Sequence, residues 1–302
     1  MTEKHINTMK SKRIFGSLDK SYIGILFMLL SFSVALSAQE TKQLVVLHLN
    51  DTHSRIEPMP PTDARNANIG GVIRQDAYVK EVRSESPNVL LFHCGDFVQG
   101  TPYFNMFKGK AEIAFMNAMK FDAACIGNHE FDYGLELMAE IVGDADFPFI
   151  STNYDFLGTP MEGLTKKYLI LEQNELKIGI IGIGIQPEGL VARQNYEGTK
   201  YLDPIETANE TARFLKEDEQ CDLIICLSHL GYYPSEDRMG DITLAKKSRY
   251  IDIILGGHSH TFLQQPDRRQ NLDGKEVLIN QMGHKGFYIG RLDITMQEEE
   301  SK

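Results

Sequence analysis

Five short apolar runs in this chain each end in a cluster of Asp, Asn, His or Gly, and that recurrence narrows the folds open to it. Residues 43–49 run into Asn50-Asp51-Thr52-His53, and residues 89–94 into Gly95-Asp96. Residues 123–126 run into Gly127-Asn128-His129-Glu130-Phe131-Asp132-Tyr133-Gly134. Residues 223–227 run into Ser228-His229, and residues 251–255 into Gly256-Gly257-His258-Ser259-His260. Short apolar runs bounded by turn residues read as buried strands. Polar residues just past their C-terminal ends stand where open α/β sheets place ligands. Taken singly, each cluster is ordinary turn chemistry. Their coincidence at five strand ends argues for one shared site.

Between these runs the pattern turns helical. Gly70-Gly71 opens a segment in which Val72, Ile73, Ala77, Val79 and Val82 are spaced to bury one face, stopping before Pro87. Helices are expected over 111–119, 135–142 and 205–215, whereas 56–65 is Pro-rich and polar and reads as loop. The strand–helix–strand rhythm argues for a layered α/β fold. Residues 168–171 and 177–183 read as two strands joined by the polar turn Glu172-Gln173-Asn174-Glu175, so part of the sheet is expected to be antiparallel. Strands over 277–281 and 288–294 close the domain.

The first forty residues stand apart. Lys4, Lys10, Lys12, Arg13 and Lys20 precede an apolar run over 23–36 that ends in the small residues Ser37 and Ala38, the layout of a secretory signal peptide. The run is short for a membrane span. The expected organisation is a signal peptide over 1–38, with Met1 or Met9 as the start, and a catalytic domain over 39–302. The protein is therefore expected to be exported, periplasmic or extracellular, and anchored to a membrane only if the signal stays uncleaved.

The chain carries a net charge of −11, more negative still without its basic leader, which makes it a poor partner for nucleic acid. A phosphate substrate would then need concentrated positive charge from bound metal ions. The 4 cysteines are too few for a disulfide scaffold in 302 residues. Cys94, Cys125, Cys221 and Cys226 lie in or beside apolar runs and are expected as buried thiols, with a Cys94–Cys125 bond the alternative in an oxidising compartment.

Asp51, His53, Asp96, Asn128, His229, His258 and His260 form a set of hard and borderline donors suited to two divalent metals sharing a carboxylate. His129 remains over. With Asp132 three residues on to orient it, its natural task is to meet a phosphoryl or leaving-group oxygen.

These motifs resemble the signature of the calcineurin-like metallophosphoesterases. The strings Asn50-Asp51-Thr52-His53-Ser54, Gly95-Asp96-Phe97-Val98-Gln99-Gly100 and Asn128 to Gly134 are similar to the 5'-nucleotidase branch in particular. The resemblance implies a four-layer αββα sandwich with mixed sheets, an α/β fold of the α+β type. It implies one metal on Asp51, His53, Asp96 and His260 and a second on Asp96, Asn128, His229 and His258. Asp96 would bridge the two, and His260 stands where the family also uses Gln or Asn. His129 and Asp132 match the family's catalytic dyad, with Asn128 and His129 meeting the phosphate. The donor set does not choose among Zn, Mn, Fe, Mg and Ca.

The implied activity is hydrolysis of small phosphate monoesters, 5'-nucleotides or related nucleotides. Diphosphate, cyclic-phosphate or sulfur esters are the alternative substrates, and a non-catalytic protein would not need the intact ligand set. Full-length 5'-nucleotidases carry a second, C-terminal domain that clamps the base. Nucleoside specificity is therefore expected from a separately encoded specificity domain, or to be weak.

Overall fold

The computed structural model describes residues 41–235 and 238–297; the expected signal segment 1–38 lies outside the described residues. In chain order the strands of the first half are β1 (Thr41–Leu49), β2 (Val89–Cys94), β3 (Ala123–Cys125), β4 (Phe149–Ile150), β5 (Tyr154–Asp155), β6 (Thr165–Lys166) and β7 (Tyr168–Gln173). Those of the second half are β8 (Leu176–Ile183), β9 (Lys200–Tyr201), β10 (Leu223–Ser228), β11 (Ile253–Leu255), β12 (Asp267–Gln270), β13 (Glu276–Asn280) and β14 (Gly290–Gln297). The helices are α1 (Val72–Glu85), α2 (Pro102–Phe107), α3 (Lys110–Met119), α4 (Gly134–Gly143), α5 (Pro204–Glu217) and α6 (Asp241–Lys247).

Two six-stranded sheets form, in the orders β14-β1-β2-β3-β4-β6 and β12-β13-β11-β10-β8-β7, with β5 and β9 as a separate ribbon. Each has a parallel centre, β1-β2-β3 in one and β8-β10-β11 in the other. Antiparallel pairs flank them, β1 with β14, β7 with β8 and β12 with β13.

Side-chain alternation along the strands builds four layers. On β1, Leu44 and Val46 face the second sheet, while Val45, Leu47 and Leu49 pack under Val79 of α1, Ile113 and Met116 of α3 and Met138 of α4. On β8, Ile178 and Ile180 enter the inter-sheet core, while Ile181 and Ile183 meet Ala208, Ala212 and Leu215 of α5. The result is the αββα sandwich with mixed sheets. Burial on both faces is why the central strands read as continuous apolar runs rather than alternating ones.

The face of α1 differs from the expected one. Gln75, Val79 and Val82 point inward, whereas Ile73 is 75% exposed and Ala77 is exposed too. Gln75 takes a core position because its amide donates to Gly286 O at 3.0 Å, and the i, i+4, i+7 stripe that starts there turns Ile73 to solvent. The four cysteines are free and buried. No helix among the described residues is long and apolar enough to cross a membrane.

Candidate metal centre

The C-terminal ends of β1, β2, β3, β10 and β11 open on the same edge of the sandwich, which brings the polar clusters of both sheets together. Asp51, His53 and His260 offer donor atoms that all lie within 4.8 Å of one another, as do those of Asp96, His229 and His258. A third such group, His53, Asp96 and His129, joins the first two. Asp96 thus stands between them. His53 Nε2 and His260 Nε2 are 2.9 Å apart, His260 Nε2 lies 3.4 Å from Asp51 Oδ1, and His258 Nδ1 lies 2.8 Å from Asn128 Oδ1. All seven expected ligands are therefore gathered at one place.

The chemistry of this donor set fits metal ions. His229 is fully buried, and its Nδ1 lies 2.6 Å from Cys94 O. A carbonyl only accepts, so Nδ1 carries a proton and Nε2 is the nitrogen turned toward Asp96 and Asp51. That atom sits 3.1 Å from Asp96 Oδ2, off the line a hydrogen bond needs, and has no partner among the described residues. A histidine that hands one N–H to a backbone carbonyl and aims its other nitrogen at carboxylates has the second-shell arrangement of a metal ligand.

The backbone is shaped to the same end. A Cβ at Gly127 would collide with Asp96 Oδ1 and His229 Nε2, and one at Gly257 with Cys94 O and His229 Nδ1. Five of the seven candidate ligands hold left-handed backbone: Asp51 (φ 51°), His53 (48°), Asp96 (55°), His258 (71°) and His260 (54°). Each costs on the order of 1 kcal/mol for a residue with a side chain, a strain that clusters at functional sites.

Other side chains hold those conformations. Asn50 donates to Asp51 Oδ2 and to Gly283 O and accepts from Met282 N, and the His258 N–H donates to Asp51. Glu130 accepts from the N–H groups of Asp96, Phe97 and Gly127 at 3.0, 2.9 and 2.6 Å. Asp241 accepts from Ser228 Oγ, the residue before His229. The sequence gives Glu130 away only by its place inside the 127–134 octapeptide. Asp241 and the Thr52–His93 contact at 3.1 Å carried no local signal.

Charge follows from this packing. Burial opposes ionisation of Asp96, but the imidazoles of His229, His129 and His53 hold its carboxyl far below the usual range. Burial likewise opposes a charge on His229, yet Asp96 and Asp51 push it up to about 10. Burial takes His53 and His258 down to about 4, so both are neutral donors at physiological pH.

His129 is set differently. Its Nδ1 lies 2.7 Å from Asp132 Oδ2, and its backbone N–H donates to Asp96 Oδ1 at 2.9 Å. Burial works against its charge, but Asp132 and Asp96 outweigh it and raise the imidazole to about 9. Asn195 donates to Asp132 O at 2.7 Å and steadies the pair from the 186–201 loop.

The sequence profile of the calcineurin-like phosphoesterases matches residues 44–262. Among known proteins, the chain is 31% identical over 289 residues to the snake venom 5'-nucleotidase of Crotalus adamanteus, covering 89% of this chain and 48% of that protein. It is 33% identical over 279 residues to the 5'-nucleotidase of Homo sapiens, covering 85% and 47%. The solved 5'-nucleotidase precursor of Thermus thermophilus superimposes with a TM-score of 0.74 at 32% identity, over 84% of this chain and 52% of that one. The chain thus spans about half the length of the curated relatives it matches.

Proposed function

The chain belongs to the calcineurin-like phosphoesterase family, and from that premise we propose that it is a metal-dependent hydrolase of phosphate monoesters that takes 5'-nucleotides or related nucleotides. The observation that carries this reading is Asp96. Its carboxylate lies between a donor group from β1 and β11 and another from β10 and β11, as a ligand shared by two cations must. Asp51, His53, Asp96 and His260 would hold one divalent ion and Asp96, Asn128, His229 and His258 the other. When bound, two such ions supply positive charge to phosphoryl oxygens and acidify a water molecule.

The remaining work falls to side chains of this chain. Asp132 accepts the Nδ1–H of His129 and fixes which nitrogen faces substrate. His129, charged at neutral pH, presents Nε2–H to a phosphoryl oxygen and stabilises the negative charge that grows there. The same proton can pass to the departing alkoxide, which makes His129 the general acid for the leaving group. Asn128 helps hold the phosphate through its side-chain amide. Glu130 keeps the backbone of Asp96 and Gly127 in register, so the shared carboxylate does not drift.

Recognition of the leaving group is a separate matter. Of the aromatics near the motifs, Phe97, Phe104 and Phe131 are buried in the core and Tyr103 is half-buried against Phe107, which leaves Tyr133, beside Asp132, as the single exposed ring within the motifs. This domain alone therefore grips the phosphoryl group and discriminates weakly among alcohols, and a further specificity domain supplies base recognition. Export belongs to the same proposal and rests on the basic and apolar pattern of 1–38; N-terminal sequencing of the protein recovered from the periplasm or medium should start after Ser37 or Ala38.

The test is a steady-state assay of the metal-loaded chain against nucleoside monophosphates and simple aryl phosphates. Hydrolysis should vanish with a chelator, return with added metal, and differ by less than about a thousandfold between the two classes. No turnover of any phosphate monoester by the fully loaded protein would contradict the reading.

A further inference from the structure

Behind the Asp51–His53 loop, under α1 and α3, lies a narrow cavity of about 40 Å³. Its wall is apolar except for Thr52, Ser54, Arg55, Gln75, His93 and Glu112. Both carboxylate oxygens of Glu112 are buried without a hydrogen-bond partner, and so are His93 Nδ1, Ser54 Oγ and Arg55 Nε. Glu112 is 6% exposed and His93 1%. A buried carboxyl with neither oxygen satisfied is costly, which marks the cavity as a place for a small polar occupant.

The wall decides what that occupant is. A carboxylate at Glu112 and a bare imidazole nitrogen accept, Arg55 Nε only donates, and the Ser54 hydroxyl does both. A metal cation would face the guanidinium N–H, and an anion would face the carboxylate. Water serves both kinds of group. The volume suits roughly three molecules, at 10–15 Å³ each.

His93 ties this cavity to the candidate metal loop. Its Nε2 lies 3.1 Å from Thr52 Oγ1, and Thr52 stands between Asp51 and His53, both held in left-handed backbone. Burial pushes the His93 imidazole down to about 3, so at working pH the ring is neutral and carries a single proton. Where that proton sits decides what Thr52 can do. On Nε2 the ring would donate to Thr52 and leave Nδ1 bare in a cavity whose wall also carries Glu112. On Nδ1 the ring donates into the cavity and Nε2 accepts from Thr52.

We propose that this cavity is a built water site through which Glu112 holds the His93 proton on Nδ1, so that His93 Nε2 clamps the Thr52 hydroxyl and with it the strained Asp51–His53 backbone. Glu112 and His93 are positioning residues on this account. Neither touches substrate. The claim about the loop rests on the reading of Asp51 and His53 as metal ligands; the claim about the proton and the waters does not.

Long-range ¹H–¹⁵N correlation spectra of the histidine-labelled, metal-free chain report the tautomer directly, with His93→Phe assigning the signal. The wild type should show the Nδ1–H form. Glu112→Met, which keeps the length and removes both acceptors, should bring in the Nε2–H form, and Glu112→Gln should restore the wild-type form in part. In competition titrations Glu112→Met should weaken metal binding by about 10–100-fold, the usual effect of losing an outer partner of a metal site. An Nε2–H wild type, or a tautomer unmoved in Glu112→Met, would overturn the proposal. Unchanged metal affinity beside a moved tautomer would overturn its positioning half. If Glu112→Met does not fold, a high-resolution crystal structure of the wild type decides: ordered waters bridging Glu112 and His93 support the account, and a dry cavity refutes it. Because the tautomer is read without metal or turnover, a chain inactive on phosphate esters would leave this inference standing.

Discussion

At the scale of single residues, the site separates groups that hold position from groups that meet substrate. His129 has donor atoms near both His53 and Asp96, yet its Nδ1 is committed to Asp132, the arrangement of a proton carrier rather than of a ligand. His129→Asn should therefore retain full metal content and lower kcat by ~10²–10⁴-fold. Elemental analysis beside kinetics checks this, and loss of metal would make His129 a ligand. A second residue speaks to stability. His48 on β1 points into the inter-sheet core opposite Gly290, with neither ring nitrogen bonded and burial taking its pKa down to about 3. The folded protein thus keeps it neutral while the unfolded chain takes up a proton below about pH 6.5. The pH-linked part of its cost is absent above that pH and grows as pH falls from 6.5 toward 3. The stability difference between His48→Leu and wild type should widen in favour of the variant by ~2 kcal/mol between pH 7.5 and pH 5. Denaturant melts at the two pH values decide, and parallel pH curves for the two proteins would contradict it.

At the scale of elements, what the sequence reveals is what local physics dictates. Central strands buried on both faces read as unbroken apolar runs, and their ends, where the backbone must turn tightly beside charged groups, carry Gly, Asp, Asn and His; the strands and the place of the candidate site were legible together. Helix α5 was legible over 205–215 as an amphipathic stretch, and Ala208, Ala212 and Leu215 form the face it buries. Asp203 accepts from Ile205 N and Glu206 N at 2.9 Å each, so Asp203→Ala should cost ~0.5–2 kcal/mol in a denaturant melt, with the site untouched. A melt equal to wild type would mean the cap contributes nothing. The short helices α2 and α6 and the two-residue strands β4, β5, β6 and β9 escaped, because a turn or two of chain has no period to read and is fixed by its neighbours. The face of α1 escaped for a related reason: Gln75 is inward only because Gly286, distant in sequence, offers it a carbonyl. The supporting residues of the site share this property. Glu112, His93 and Asp241 act on partners that no local pattern predicts.

At the scale of the whole molecule, two sheets face each other and each contributes strand ends to one edge, so the candidate centre exists only when the sandwich is closed. Asp51, His53, Asp96, Asn128 and His129 come from the first sheet, and His229, His258 and His260 from the second. Ions bound across that seam would also join the sheets, and metal should raise the melting temperature as a ligand of the native state does. The shared carboxylate is the point on which metal pairing depends. The most direct measurement is metal stoichiometry with turnover, taken together on the wild type and on Asp96→Asn at matched free metal. The account predicts two ions per wild-type chain, and for Asp96→Asn fewer than two with phosphate ester hydrolysis lowered by orders of magnitude. Two ions and near wild-type activity in Asp96→Asn, or a single ion in the fully active wild type, would contradict it.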